Sequence, residues 1–165
     1  MKKITLNLKN KNILITGGNG FLGSQITNAL INEKANVYII DVSEPKKKTS
    51  AKHFKSNITN ENDLKKILKF FKSKKIKIDV LINNAAVNYS PTKSKKNNFK
   101  LETFSNDLWN KDISVSLKGS YLCTKVFGTY MSKFKKGTII NVSSDLGIIA
   151  PDQRIYKESG FVKPI

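Results

Sequence analysis

Short apolar runs along the chain alternate with longer stretches in which apolar residues recur every three or four positions. The runs predict five β-strands, over residues 13–15, 36–41, 52–56, 79–82 and 138–142. The fourth run is apolar enough to be covered on both faces, as strands of parallel sheets are. Strands that alternate with helices predict an α/β fold with a parallel, doubly wound sheet. The ligand crevice of such a sheet lies beyond the carboxyl ends of its strands.

The amphipathic stretches predict three helices, each with one apolar face turned to the sheet. Thr59 or Asn60 is expected to cap the second helix and Ser105 or Asn106 the third, which Gly137 ends. The expected inward residues are Leu22, Ile26, Ala29 and Leu30 in the first helix, Leu64, Ile67, Leu68 and Phe71 in the second, and Leu108, Val115, Leu122, Val126 and Met131 in the third.

A glycine-rich turn follows the first strand and opens the first helix. Gly17, Gly20 and Gly23 each remove a Cβ where the backbone must turn sharply, approach a pyrophosphate or pack a helix on a sheet. Backbone N–H groups at the start of this helix would face the phosphates. Asp41 ends the next strand, at about the 20-residue spacing at which an acidic residue meets the ribose of NAD. The turn alone also suits a ligand-free strand–helix connection, but with Asp41 it predicts a dinucleotide-binding site.

Composition limits the classes of function. The 165 residues amount to one domain, and no run reaches the ~20 apolar residues of a membrane span. The single cysteine, Cys123, cannot form an internal disulfide, so a reducing, cytoplasmic setting is expected. The net charge is +18, yet Arg154 is the only arginine and the lysines are scattered, which indicates codon bias rather than a nucleic-acid partner. His53 has no Cys or His partner at metal spacing, so no metal site is expected.

Six motifs, in this order and spacing, resemble the short-chain dehydrogenase/reductase family over essentially the whole chain. They are TGGNGFLG at 16–23, Asp41, Asn57-Ile58, LINNAA at 81–86, VSLKGSYL at 115–122 and IINVSS at 139–144. The run SSDLGIIAPDQRIY at 143–156 is similar to a subgroup associated with flagellin modification and acidic-sugar biosynthesis.

The resemblance implies a Rossmann-type sheet of order 3-2-1-4-5 and an NAD(P)-dependent oxidoreductase that transfers hydride between the nicotinamide and a carbonyl or hydroxyl carbon of a small molecule. Asp41 would favour NAD over NADP, because an acid there repels a 2′-phosphate, and Ser144 would hold the reacting oxygen of the substrate. The resemblance also implies a homo-oligomeric full-length protein. The implied cofactor-binding residues are Gly17, Asn19, Gly20, Phe21, Leu22, Gly23, Asp41, Asn57, Ile58, Asn83 and Ala85.

Three departures from the family pattern leave alternatives open. The glycine spacing is closer to the extended nucleotide-sugar epimerase and dehydratase branch, and Ser116 stands where the family has a catalytic asparagine. The family's Tyr-x-x-x-Lys pair is not matched, because Tyr156 is the only tyrosine after Ser144 and Gly160 stands four residues after it. The chain is therefore expected to be one nucleotide-binding domain, residues 1–165, truncated after the fifth strand before the catalytic tyrosine and lysine. A non-catalytic dinucleotide-binding module is the remaining alternative.

Overall fold

The computed structural model describes residues 7–45, 47–87, 104–149, 152 and 154. In these ranges the chain forms five strands, and each lies within two residues of its predicted position. Tyr156 and the residues after it lie outside the described part of the chain. The strands are β1 (Asn12–Thr16), β2 (Asn36–Asp41), β3 (Lys52–Lys55), β4 (Val80–Asn83) and β5 (Thr138–Asn141).

The strands form one parallel sheet in the order β3-β2-β1-β4-β5, which confirms the predicted topology. In the pairing register, Ile15 of β1 lies between Ile39 of β2 and Ile82 of β4. The order of strands along the chain reverses between β1 and β4. A crevice opens at such a reversal, beyond the carboxyl ends of the two strands.

Three helical segments connect the strands. They are α1 (Phe21–Asn32), α2 (Glu61–Ser73) and a long helix over residues 106–132. The long helix alternates between α-helical and π-helical hydrogen bonding, with π-helical turns at Ile113–Gly119 and Thr124–Gly128. Asn60 caps α2 and Ser105 caps the long helix; the side-chain oxygen of each accepts a hydrogen bond from a first-turn N–H, as predicted.

The helices cover both faces of the sheet, so the core has two parts. On one face, α2 and the long helix pack on Leu14, Ile40 and Leu81; on the other, α1 packs on Ile13, Ile15, Val37, Ile39 and Ile82. Neighbouring residues of β4 belong to opposite parts, which confirms that this strand is covered on both sides. Cys123 lies in the first part, where burial raises the pKa of its thiol to about 12.

Two sequence-based expectations about the helices are wrong in detail. Leu22 and Ala29 of α1 are exposed, and the residues that face the sheet are Gly23, Ile26, Thr27 and Leu30. The close approach of Gly23 to the glycine turn fixes the rotation of α1 about its axis. The spacing of apolar residues along the helix does not predict this tertiary contact.

The long helix ends at Ser132, before the predicted end at Gly137. Lys135 makes the reversal at φ +51°, a left-handed conformation that glycine usually supplies. Gly137 instead leads into β5 at φ +142°. Among the described residues, no helix is long and apolar enough to cross a membrane.

Candidate functional site

The glycine turn lies in the crevice between β1 and β4. Gly17 has φ +66°, and its N–H donates to the Ile40 carbonyl at 2.8 Å. A Cβ at Gly17 would lie 2.8 Å from the Cα of Ala85, so only glycine allows the two loops to approach this closely. Gly20 then closes the turn, because its N–H donates to the Gly17 carbonyl at 3.1 Å.

The first turn of α1 faces the crevice without a side-chain cap. Gly20 is the N-cap residue, in extended conformation, and within the described residues no side-chain cap hydrogen bond forms at this end of α1. By contrast, α2 and the long helix are capped by the side chains of Asn60 and Ser105. Uncapped N–H groups at the positive end of a helix suit an anionic ligand such as a diphosphate. Phe21, which is 91% exposed, stands at this end.

Thr16 and Asn84 hold the turn in place, although their positions in the sequence do not predict this role. The Thr16 hydroxyl oxygen accepts hydrogen bonds from the N–H groups of Asn84 at 3.0 Å and Ala85 at 3.1 Å. Asn84 Nδ2 in turn donates to the carbonyls of Thr16 and Gly17. The two residues therefore fasten the start of the glycine turn to the end of β4. The one feature of the sequence that could have identified them is a polar residue at the end of each of two buried strands.

Asp41 ends β2 beside the glycine turn and is 9% exposed. Its Oδ2 accepts a hydrogen bond from the Asn19 N–H at 2.9 Å, and its Oδ1 accepts from the Ser43 N–H at 2.9 Å and the Ser43 hydroxyl at 2.8 Å. A carboxylate has about four acceptor positions, so these three bonds leave room for one further donor. The sequence-predicted pair of glycine turn and Asp41 therefore lies together, joined through Asn19.

Asn57 and Ile58 follow β3 at the same edge of the sheet. Asn57 Oδ1 accepts hydrogen bonds from both the N–H and the hydroxyl of Thr59 at 3.0 Å. An adenine amino group at Asn57 would therefore have to replace the Thr59 hydroxyl. The Ile58 side chain is buried against Gly119, so any contact of Ile58 with a cofactor falls to its backbone.

Asn83 ends β4 and is 3% exposed. Its Nδ2 donates to Asn141 Oδ1 at 2.8 Å and to the Thr124 hydroxyl at 3.2 Å, which joins β4 to β5 and to the long helix. Its Oδ1 is buried and has no hydrogen-bond partner among the described residues. The Asn83 side chain therefore supports the sheet directly beneath the crevice.

The two serines singled out for catalysis stand on different elements. Ser144 follows β5, is exposed, and its hydroxyl donates to Asp145 Oδ1 at 3.0 Å. Ser116 is exposed on the long helix, where its carbonyl accepts a hydrogen bond from the Ser120 hydroxyl. A serine hydroxyl can orient a substrate oxygen by hydrogen bonding, but it is too weak an acid or base to exchange a proton near neutral pH without help. Within the described residues, no three His, Cys, Asp or Glu side chains group as metal ligands.

Comparison with known proteins identifies the family. The model of the short chain dehydrogenase family matches residues 11–157. A 3-oxoacyl-(acyl-carrier-protein) reductase of Thermotoga maritima is 29% identical over 165 aligned positions, which cover 93% of this chain and 64% of the relative. An NAD-dependent glycerol dehydrogenase of Listeria innocua is 26% identical, over 90% of this chain and 58% of the relative. The chain thus spans about 60% of the length of these relatives.

Solved structures give the same picture. A short chain dehydrogenase of Leptospira borgpetersenii with bound NAD⁺ is similar at a TM-score of 0.80 and 26% identity, over 97% of this chain and 64% of that one. A structure named ElxO with bound NADP is similar at a TM-score of 0.75 and 26% identity, over 92% of this chain and 62% of that one. Because the family model matches most of the chain, and the fold and the glycine turn agree with it, the protein belongs to the short-chain dehydrogenase/reductase family of oxidoreductases.

Proposed function

We propose that the crevice binds NAD, and that the protein is an oxidoreductase that transfers hydride between NAD and a carbonyl or hydroxyl carbon of a small molecule. The observation that carries the proposal is the position of Asp41, whose carboxylate lies against the backbone of the glycine turn. An acidic group at the end of β2 suits the hydroxyls of the adenosine ribose. The family uses nicotinamide cofactors, and such a cofactor, when bound, supplies the hydride donor or acceptor.

The residues of the crevice fit a dinucleotide. Gly17 and Gly23 leave no space for a Cβ, because the turn packs closely on Ala85 and on the start of α1. The uncapped first turn of α1 would bind the diphosphate through its N–H groups. Phe21 and Leu22 are exposed at the same end of α1 and are available to cover it. We further propose that residues 1–165 act as one nucleotide-binding unit, since one sheet runs through both parts of the core.

The proposed preference for NAD over NADP follows from the negative charges of the Asp41 carboxylate and of the 2′-phosphate that only NADP carries. The Asp41 carboxylate would accept a hydrogen bond from a ribose 2′-hydroxyl but would repel a 2′-phosphate, and its near-complete burial limits solvent screening of that repulsion. Because one similar structure holds NAD⁺ and another NADP, membership of the family leaves this choice to the individual site.

For the substrate, we propose that Ser144 orients the reacting oxygen and that Ser116, on the long helix, takes the place of the family's catalytic asparagine. The sequence similarity of residues 143–156 to enzymes of flagellin modification and acidic-sugar biosynthesis supports a sugar-type substrate. Since no Tyr-x-x-x-Lys pair follows Ser144 in the sequence, we expect this chain alone to bind NAD without turning over substrate.

Calorimetric titration of the chain with NAD and with NADP tests the proposal. We expect wild type to prefer NAD, and Asp41→Asn to lose roughly tenfold or more of its NAD affinity, because a hydrogen bond to a charged group is worth about 1.5–3 kcal/mol. Asp63→Asn is the matched control: Asp63 is also an aspartate, but it pairs with Lys66 on the outer surface of α2. Equal affinity of wild type for the two nucleotides, or unchanged NAD binding in Asp41→Asn, would contradict the proposal.

A further inference from the structure

The only histidine of the chain, His53, lies next to the proposed ribose site. Residues of β3 alternate between the two faces of the sheet, and Lys52 and Phe54 face α2, where both contact Phe70. His53 faces the opposite side, with a side chain that is only 15% exposed. There its Nε2 lies 3.1 Å from Asn19 Nδ2, within the turn that carries the glycines.

The hydrogen-bond partners of Asn19 indicate the tautomer of the imidazole ring. Asn19 Nδ2 lies 2.6 Å from the Ser43 carbonyl oxygen, which can only accept, so this atom of the amide must be the nitrogen. The second hydrogen of the same NH₂ group then points to His53 Nε2, which must accept it. The ring proton consequently resides on Nδ1, which faces Glu44 Oε2 at 3.5 Å. Glu44 is itself held by Lys55 at 3.3 Å.

These contacts form a continuous chain from β3 to Asp41. His53 fixes the side chain of Asn19, the Asn19 side chain holds the Ser43 carbonyl, and the Asn19 N–H and the Ser43 N–H bind the two oxygens of the Asp41 carboxylate. If the acceptor on His53 were removed, Asn19 would keep one side-chain bond, and the loop from 41 to 44 would lose its connection to β3 through the amide. The Asp41 carboxylate would keep its bonds to Asn19 and Ser43, but these two residues would be held less firmly, so the carboxylate would be positioned less precisely for the ribose.

We propose that His53 is a positioning residue that determines specificity for NAD: through Asn19 it holds the Asp41 carboxylate where it accepts a ribose 2′-hydroxyl and opposes a 2′-phosphate. The inference rests on the proposed function, since it assigns to His53 the geometry of that same nucleotide site. The polar contacts of His53 are with Asn19 and Glu44, so it acts on the carboxylate through Asn19.

Nucleotide affinities of three variants test the specificity. His53→Phe keeps an aromatic ring, although a larger one, and removes the acceptor. We expect a threefold to tenfold loss of NAD affinity, which corresponds to the loss of about one hydrogen bond, and a smaller ratio of NAD affinity to NADP affinity. His53→Gln restores an acceptor and is expected to bind within about twofold of wild type. Lys52→Gln, the adjacent residue on the other face of β3, is the control and is expected to match wild type.

A spectrum of the single imidazole tests the geometry independently of any nucleotide. Long-range ¹H–¹⁵N spectra near pH 8 distinguish the two neutral tautomers, and because the chain has one histidine the signals need no further assignment. We expect the Nδ1–H tautomer in wild type and loss of that bias in Asn19→Ala.

The outcomes separate this inference from the proposed function. Absence of NAD binding in wild type refutes the proposed function, and the role in specificity falls with it. NAD binding that depends on Asp41, together with a wild-type affinity ratio in His53→Phe, overturns the role of His53 alone. An Nε2–H tautomer in wild type, or the same weakening in His53→Gln as in His53→Phe, overturns it as well.

Discussion

A side chain at Gly23 is tolerated less than at any other glycine of the turn, because α1 contacts the turn at the place where the Cβ would lie. A Cβ there would overlap the Gly17 carbonyl oxygen and would lie 2.9 Å from Asn84 Nδ2, and the first of these is backbone that cannot move aside. Gly20 is different: a Cβ there would meet only the Gly17 carbonyl oxygen, at 3.3 Å. Gly20 and Gly23 belong to the same glycine motif in the sequence, but only Gly23 is required to be glycine by a steric contact with the backbone.

We predict that Gly23→Ala destabilises the fold by about 2–3 kcal/mol, the usual cost of overpacking a site that cannot relax, whereas Gly20→Ala costs less than about 1 kcal/mol. Urea unfolding followed by circular dichroism measures both free energies of unfolding. Gly20→Ala serves as the matched control, since it is the same substitution three residues earlier in the same turn. A Gly23→Ala variant as stable as Gly20→Ala would show that α1 can move away from the turn at little cost.

The sequence predicts the individual residues of the candidate site better than it predicts the residues that hydrogen-bond to them. Gly17, Gly23 and Asp41 are identifiable because their spacing along one strand–turn–helix–strand unit is local. His53 is not, because its role depends on β3 lying beside β2, which brings residue 53 within reach of residue 19. Only the register of the sheet reveals such a contact.

Among the helices, α2 is the one that the sequence describes most completely. Its cap, Asn60, and its buried face, Leu64, Ile67 and Phe71, all follow from local spacing and hydrogen bonding, and the structure has each as predicted. The far ends of the helices were harder to predict, because the residues that reverse the chain are lysines. Lys34, Lys75 and Lys135 follow the three helical segments at φ values between +51° and +62°, where glycine is the usual signal.

We predict that Lys75→Gly stabilises the fold, because glycine adopts a positive φ without the steric cost of about 1 kcal/mol that a side chain meets there. The greater freedom of glycine in the unfolded chain reduces the gain to about 0.5 kcal/mol. Lys74→Gly is the control: Lys74 has φ −87°, so the substitution gives only the entropic cost and should destabilise. Thermal unfolding of the two variants against wild type measures both effects, and a Lys75→Gly variant less stable than Lys74→Gly would contradict the argument.

For the molecule as a whole, the covering of the sheet is uneven. The three central strands are buried on both faces, but β5 is exposed along its length, with Ile139, Ile140 and Val142 between 37% and 45% exposed. In the described part of the chain, β4 is the only strand that pairs with β5, so its outer edge carries unpaired backbone groups. An uncharged, β-branched edge of this kind pairs readily with another strand.

We predict that the 165-residue chain associates in solution, and that salt promotes the association. The net charge of +18 opposes contact at low ionic strength, but salt screens it beyond about 10 Å at 0.1 M, whereas edge pairing and apolar contact act at shorter range. Ile140→Lys places a charge on the exposed strand and should favour the monomer. Ile148→Lys adds the same charge at a position that is 92% exposed outside the sheet and is expected to leave association almost unchanged. Sedimentation velocity at two salt concentrations measures the association. A wild-type chain that stays monomeric at both concentrations would show that the β5 edge is protected. Equal effects of the two substitutions would show that added charge, and not the strand edge, controls the association.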